Sequence, residues 1–350
     1  MTLLIATDEA GYGPRLGPLV VVATAWRIDD SGSDRLGESI EIPGRGPIRV
    51  DDSKRLFRQP RPHTQGDAIW GPLDLITAAA ARWVDYPSPM TAYRQWLGRI
   101  APDDLTELPR QPWFALLSGD QSDRQRKARG DGSVESHELP WSTADLDTLV
   151  QHWSGGEVVL VGIAARVIDA ARFNERLRCD GNKADLLSGT TCELALRLAE
   201  CHREVAGGTI RICSDRHGGR AHYGGLLQHH CPDHVLAVVS ETSRLSRYQL
   251  TPAAASGDDS IDWSFTVGGD SYAPVAMSSI IAKATRERLM SMFNAYFRRL
   301  TARFDTRLGR QSPTLRPTAG YAGDATRFLN DTASIRRLAG IDDRLLIRSK

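Results

Sequence analysis

The sequence lacks the long apolar runs of a membrane protein. Across its 350 residues, no run approaches the roughly 18 apolar residues that a membrane span needs, and the longest candidates, 16–26 and 158–168, suit buried strands. Near the N-terminus, only the short apolar stretch 3–6 precedes Asp8 and Glu9, which is too short for the apolar core of a signal peptide. We therefore expect a cytoplasmic protein without a membrane partner.

Cysteine is scarce and neither sign of charge dominates. The five cysteines form no CxxC pair, which argues against a disulfide framework and against a zinc ribbon. Lys and Arg number 44 against 43 Asp and Glu, so the net charge of +1 exerts no overall attraction on nucleic acid. Any binding of nucleic acid or ions must therefore come from local groups of residues.

Apolar residues make up 41% of the chain, enough for a sizeable core. Period-two and continuous apolar runs predict strands over 3–8, 18–26, 158–164 and 209–214. Helical periodicity predicts helices over 185–206 and 278–300. Strands that alternate with helices are typical of an α/β fold.

Residues 60–150 differ in composition from the rest. They hold five of the eight tryptophans, Trp70, Trp83, Trp96, Trp113 and Trp141. We interpret this range as an inserted helical subdomain of unknown role within a catalytic domain of residues 1–59 and 151–335, followed by a tail, 336–350. Its tryptophans form a small core or stack on bases, and its basic run 124–129 grips phosphates or is a solvated loop.

Three positions carry acids in contexts that suit chemistry. Asp8 and Glu9 are adjacent at a strand end, where they repel each other and lose hydration, and a divalent cation would offset both costs. Asp215 ends an apolar strand before glycines, where α/β sheets place ligand-binding groups. Glu287 follows Lys283 by four residues on one helix face. The alternatives are an acidic turn, an ordinary loop and a surface ion pair.

Five segments of the sequence form short motifs that follow one another in a defined order. The most specific are Thr-Asp-Glu-Ala-Gly-Tyr-Gly-Pro at 7–14 and the helical segment 276–290, Ala-Met-Ser-Ser-Ile-Ile-Ala-Lys-Ala-Thr-Arg-Glu-Arg-Leu-Met. The others are Asp-Ser-Lys-Arg-Leu at 52–56, Gly-Asp-Ser at 269–271 and Gly-Tyr-Ala-Gly at 320–323. These segments resemble motifs of the type 2 ribonucleases H, the ribonuclease HII and HIII family, and their order and approximate spacing agree with that family outside the insertion.

The resemblance implies a ribonuclease H-like mixed sheet with helices on both faces. It also implies an enzyme that cuts the RNA strand of RNA/DNA hybrids with two Mg²⁺ or Mn²⁺ ions, leaving 5′-phosphate and 3′-hydroxyl ends. We expect the protein to be a monomer. The catalytic, metal-binding carboxylates that it implies are Asp8, Glu9, Asp215 and Glu287. The substrate-binding residues that it implies are Gly11, Tyr12, Gly13, Lys54, Lys283 and Tyr321.

Two positions depart from the ribonuclease HII pattern. Tyr12 stands between two glycines where that branch has arginine, in a turn that offers backbone groups to the 2′-hydroxyl. Glu287 replaces an aspartate, as in the HIII branch. The alternatives are a nuclease of this fold that acts on another nucleic-acid structure, and a binding protein without catalysis. His217 is open to two further roles, in proton transfer or with nearby histidines in a zinc site.

Overall fold

The computed structural model describes residues 1–29, 35–43, 46–56, 71–118, 141–254, 260–309 and 313–349. Trp70 and the basic run 124–129 lie outside these ranges. The strands are β1 Thr2–Ala10, β2 Leu19–Ile28, β3 Ile40–Ile42, β4 Gly46–Ile48, β5 Val158–Ile168, β6 Thr209–Asp215, β7 His234–Glu241, β8 Leu245–Pro252 and β9 Ser260–Thr266. The helices are α1 Ser53–Leu56, α2 Pro72–Trp83, α3 Tyr93–Ile100, α4 Pro102–Leu105, α5 Thr143–Ser154, α6 Ala170–Asp180, α7 Lys183–Cys201, α8 Gly224–His230, α9 Ala273–Leu308, α10 Ala322–Asp331 and α11 Ala333–Leu338.

Seven of the strands form one sheet, in the order β5-β2-β1-β6-β9-β8-β7. β1, β6 and β9 are neighbours and run parallel, whereas the other pairs are antiparallel. The predicted mixed sheet is therefore confirmed. Because β1, β6 and β9 point the same way, their carboxyl ends meet at one edge of the sheet.

The central strands are buried on both faces. In β1, Leu3 and Ile5 belong to one apolar cluster, and Leu4 and Ala6 belong to the other, as the alternation of side chains along a strand requires. Helix α7 packs on the first face and α9 on the second. The prediction of helices on both faces is confirmed.

The extra helices between β4 and β5 pack directly on the second face. The Trp113 ring centroid lies 5.6 Å from that of Phe293 and 6.0 Å from that of Phe297, both on α9. Trp96 and Trp141 are buried in the same cluster. The described tryptophans of this segment therefore contribute to the packing against the sheet and α9, which favours the core interpretation over base stacking.

A buried carboxylate fastens these helices to β5. Asp104 in α4 is fully buried and accepts hydrogen bonds from Arg166 Nε at 3.2 Å and from the Val167 backbone N–H at 2.6 Å. Arg172 also donates to it. Asp104 thus satisfies two arginines and one backbone donor at the junction between the extra helices and the sheet.

Both predicted helices are present, as α7 Lys183–Cys201 and α9 Ala273–Leu308, with bounds that differ from the predicted ones by two to eight residues. α9 extends from Ala273 to Leu308, beyond the predicted 278–300, and ends at Gly309 with the positive φ of 60° that glycine adopts readily. Among the described helices, none combines the length and the apolar character needed to cross a membrane.

Candidate active site

Acidic residues stand at the carboxyl ends of the three parallel strands. Asp8 and Glu9 lie near the end of β1, and Asp215 is the last residue of β6. A 3₁₀ turn, Gly269–Ser271, follows β9 and carries Asp270. The structure therefore brings Asp8, Glu9 and Asp215 together as predicted, and it places a further acid, Asp270, at the same edge.

Asp8, Glu9 and Asp215 repel one another at a place where burial limits contact with water. Burial, followed by the charges of Glu9 and Asp215, raises the pKa of Asp8 well above its usual range. Burial and the charge of Asp215 raise the pKa of Glu9 to about 7, while nearby Lys54 acts in the opposite direction. The cluster therefore carries more negative charge than the neighbouring side chains neutralise, which favours a bound cation.

Asp270 is held beside Asp215 by a close backbone approach. The Gly269 backbone N–H donates to Asp215 Oδ1 at 2.7 Å. A Cβ at Gly269 would lie 3.0 Å from the Asp215 Cα, so a side chain there would push the two strand ends apart. Burial, then the charges of Asp52 and Asp215, raises the pKa of Asp270. Asp270 thus shares the electrostatic environment of the cluster.

Glu287, the predicted fourth metal ligand, is not among the charges that act on Asp8, Glu9 or Asp270. The Ser279 hydroxyl of α9 hydrogen-bonds the Asp8 carboxylate, and Glu287 lies eight residues further along that helix, a rise of about 12 Å. Among the described residues, the charges that act on Glu287 are those of Arg286, Lys283 and Asp74. Helix geometry therefore separates Glu287 from Asp8, whereas the turn after β9 brings Asp270 close to Asp215.

The predicted lysines lie at the border of the acidic cluster. Lys54 is largely exposed, and its Nζ lies 3.9 Å from Asp270 Oδ2. The short helix α1 that carries it is tied to α9 by a 3.0 Å hydrogen bond between the hydroxyls of Ser53 and Ser279. Lys283 is half-buried, and its charge interacts with Asp52 and Glu287. Lys54 is thus positioned to meet an anionic group that approaches the acids.

The predicted glycine turn packs closely against α9. Gly11 has a φ of +89°, and a Cβ there would lie 2.4 Å from Arg286 Nε and 2.7 Å from the Pro18 carbonyl oxygen. Only glycine fits this position, because both the conformation and the space exclude a side chain. Gly13 is exposed and has open space around it. The charges of Glu9 and Arg220 act on the hydroxyl of Tyr12, which lies between these two glycines, so Tyr12 stands at the edge of the acidic cluster.

Tyr321 lies beside Arg286 and next to the residues that follow the glycine turn. It is 56% exposed, and the Arg286 guanidinium carbon lies 5.9 Å from its ring centroid. The carbonyl oxygen of the preceding residue, Gly320, accepts hydrogen bonds from the backbone N–H groups of Arg15 and Leu16, with N···O distances of 2.8 Å and 3.3 Å. An exposed aromatic face is therefore fixed next to the glycine turn, where a ribose or base could pack against it.

The histidines after Asp215 have packing and surface roles. His217 is buried between Tyr223 and Phe265, its Nδ1 lies 2.8 Å from the Ser188 hydroxyl, and burial lowers its pKa to about 3. It is therefore neutral near pH 7, and its contacts with Ser188, Tyr223 and Phe265 favour a packing role. Among the described residues, no three His, Cys, Asp or Glu side chains converge closely enough to hold a metal ion as they stand, and this also applies to the suggested zinc site.

These features describe an α/β protein with an acidic cluster at the edge of a mixed sheet. No family model matches the chain, and no curated protein matches it. Solved structures to which the chain is similar include ribonucleases HII and HIII. The ribonuclease HII of Archaeoglobus fulgidus, solved as a PCNA complex, is 14% identical, with a TM-score of 0.37 over 99% of this chain and 94% of that one.

Two further structures cover the chain to the same extent. Bst-RNase HIII in complex with Mn²⁺ is 13% identical, with a TM-score of 0.37 over 99% of this chain and 66% of that one. The ribonuclease H2 of Pyrococcus horikoshii OT3 is 12% identical, with a TM-score of 0.35 over 99% and 92%. At these identities and TM-scores, the likeness by itself assigns neither a substrate nor a reaction to this chain.

Proposed function

We propose that the protein is a divalent-metal-dependent endonuclease that cuts the RNA strand of RNA/DNA hybrids, leaving 5′-phosphate and 3′-hydroxyl ends. The observation that carries this proposal is the clustering of Asp8, Glu9 and Asp215 at the carboxyl ends of two adjacent parallel strands, with Asp270 after the third. Their mutual repulsion favours a cation, and the glycine turn lies beside them. The protein would act as a cytoplasmic monomer.

The acids fit Mg²⁺ or Mn²⁺ in their chemistry. Both ions prefer carboxylate and water oxygens, and the raised pKa values of Asp8, Glu9 and Asp270 reflect a surplus of buried negative charge that a cation would relieve. We assign the ligand role to these three residues and Asp215. When bound, two such ions would supply an activated water and stabilise the leaving oxygen of a phosphodiester.

The neighbouring residues suit a nucleic-acid strand with a 2′-hydroxyl. Lys54 would attract a phosphate next to the acids, as a point charge does, and Lys283 would limit the repulsion between the acids and that phosphate. Tyr321 would pack on the sugar and base beside the cut. The backbone of Gly11, Tyr12 and Gly13 would contact the 2′-hydroxyl, the group that distinguishes RNA from DNA.

Cleavage of labelled duplexes with Mg²⁺ and with Mn²⁺ tests the proposal. One duplex pairs a continuous RNA strand with DNA, a second carries one ribonucleotide within DNA, and a third is all DNA. We expect metal-dependent cutting of the RNA/DNA hybrid and none of the all-DNA duplex, because the contact with the 2′-hydroxyl is lost in the latter.

Cutting of all three duplexes would instead indicate a nuclease of the same fold that recognises another nucleic-acid structure and does not require a 2′-hydroxyl. Binding of the hybrid by folded protein without metal-dependent turnover would indicate a binding protein. The single-ribonucleotide duplex reports on Tyr12, because cutting there would mean that the glycine turn recognises an embedded ribonucleotide without an arginine.

A further inference from the structure

The segment 346–349, here called the C-terminal strap, is hydrogen-bonded to the glycine turn and to the residues that follow that turn. Leu346 is buried in the apolar cluster beneath the sheet. Ile347 pairs with Leu16 in an isolated bridge, and the Arg348 backbone N–H donates to the Arg15 carbonyl at 2.9 Å. The strap thus meets the turn along its backbone.

Asn174 of α6 fixes the other side of the strap. Its Nδ2 donates to the Ile347 carbonyl at 2.8 Å, and its Oδ1 accepts the Ser349 backbone N–H at 2.7 Å. The side chain between these two anchors, that of Arg348, is therefore directed into the protein at a defined position.

Within the described part of the chain, every hydrogen-bond acceptor of the Arg348 guanidinium is a backbone carbonyl. It is 2% exposed, and it donates to Gly17 O through Nε at 2.8 Å and Nη2 at 2.5 Å, and to Gly11 O through Nη1 at 2.5 Å. A longer contact of 3.5 Å joins Nη1 to Pro14 O. Among the described residues, no carboxylate forms an ion pair with it, and the nearest acid that influences it is Asp169.

A buried cation without a carboxylate partner is costly for stability alone. Burial, with the charge of Arg286 nearby, lowers the pKa of Arg348, which reflects the cost of removing the guanidinium from water. Apolar side chains of similar volume often replace buried charged groups with no loss of stability. The Phe173 ring, whose centroid lies 4.8 Å from the guanidinium carbon, would suit an apolar neighbour equally well. The feature that an apolar side chain would not reproduce is the set of hydrogen bonds to the turn.

These bonds set the direction of a peptide plane in the turn. The peptide between Gly11 and Tyr12 is trans, so its C=O and N–H groups point in opposite directions. Because Arg348 holds the Gly11 carbonyl on the inside, the Tyr12 N–H points away from the buried guanidinium. No described residue accepts a hydrogen bond from this N–H.

We infer that Arg348 is a positioning residue, which orients the Tyr12 backbone N–H as a free donor for the RNA strand next to the acidic cluster. The inference rests on the proposed nuclease function and extends it to a residue that is distant in sequence from every motif. Arg286 supports the same turn from α9 through the carbonyls of Pro18 and Leu16, so the two arginines together fix its backbone from behind.

The test compares wild type with Arg348→Met and Arg348→Lys, and with Arg344→Ala as a matched control. Arg344 lies two residues before the strap, and its side chain is 89% exposed. For Arg348→Met, we expect KM for the RNA/DNA hybrid to rise about tenfold, the value of one hydrogen bond, while kcat stays within about threefold. Arg348→Lys should recover part of this loss, and Arg344→Ala should behave as wild type.

Amide hydrogen exchange of the same proteins provides a readout without substrate. The N–H groups of Arg15 and Leu16, which the Gly320 carbonyl accepts, should exchange faster in Arg348→Met than in wild type or Arg344→Ala. Unchanged exchange would overturn the inference, even if the wild type proved inactive and the proposed function failed.

The kinetic measurements distinguish a failure of the inference about Arg348 from a failure of the proposed nuclease function. If the wild type cuts the hybrid and Arg348→Met does so with the same KM, the inference is wrong while the function stands. A fall in kcat alone, in parallel with a lower melting temperature, would also overturn it, because it would show a loss of folded protein and not of substrate contact.

Discussion

Neutral substitutions at two acids, Asp8→Asn and Asp270→Asn, are expected to lower metal-dependent cleavage of the hybrid by about 10³-fold or more, equivalent to about 4 kcal/mol of transition-state stabilisation. Asp8 lies near the carboxyl end of β1 and Asp270 follows that of β9, and these two parallel strands flank β6 in the sheet. An amide keeps the shape of each side chain but removes the charge that would hold a cation. Initial rates at saturating Mg²⁺ and Mn²⁺ measure the effect.

The matched control is Glu287→Gln, which changes an acid of the same helix that contacts Asp8. Because Glu287 lies about 12 Å along α9 from that contact, we expect its activity to stay within about threefold of wild type. Loss of activity in Glu287→Gln with full activity in Asp270→Asn would reverse the assignment of the fourth acid.

The raised pKa of Asp8 also predicts how Asp8→Asn changes the thermal stability, which serves as a control for folding. The pKa of Asp8 is raised in the folded protein, so its ionised form destabilises the fold at pH values above that pKa. Without metal at about pH 8, Asp8→Asn is therefore expected to melt at or above the temperature of wild type. A marked fall in melting temperature would mean that the loss of activity reports on folding.

The largest expected effect on stability is that of Asp104→Ala. The carboxylate is fully buried and receives hydrogen bonds from Arg166, Arg172 and the Val167 backbone N–H. Its removal leaves two partly buried arginines without their partner and one buried donor unsatisfied, which costs about 3–5 kcal/mol. Urea unfolding, followed by circular dichroism, measures the free energy of unfolding.

The adjacent Asp103 provides the control. Its side chain is 57% exposed and pairs with Arg197 on the surface, so Asp103→Ala should cost no more than about 1 kcal/mol. If the two variants proved equally stable, then Asp104 would not fasten the extra helices to β5, and the packing between them would rest on the apolar cluster alone.

Local patterns were sufficient to predict the principal elements of the fold and part of the site. Apolar runs ending in an acid predict both a buried strand and a side chain at the sheet edge, and this holds for Asp8 and for Asp215. The same rule applies to Asp270, which follows β9 after a glycine turn. Asp270 was not predicted as a site residue because the helical motif around Glu287 resembles the family more closely than the three-residue turn Gly269–Ser271 does.

The remaining features depend on contacts between distant segments. Nothing in the composition of 60–150 indicates that Trp113 packs on Phe293 and Phe297 of α9, because an apolar side chain in a short 3₁₀ helix does not specify the surface that it covers. Arg348 carries no local signal either, since its carbonyl partners lie in a turn more than 300 residues earlier. Such positions become visible only when the backbone is assembled.

Titration of the metal-free protein with Mn²⁺, followed by isothermal calorimetry, tests most directly whether the acids at the ends of β1, β6 and β9 form a cation site. Binding is measured without substrate and does not depend on turnover. The account predicts binding by wild type and by Glu287→Gln, and affinity reduced about tenfold or more in Asp8→Asn and Asp270→Asn. Equal affinity in all four proteins, or a loss confined to Glu287→Gln, would contradict it.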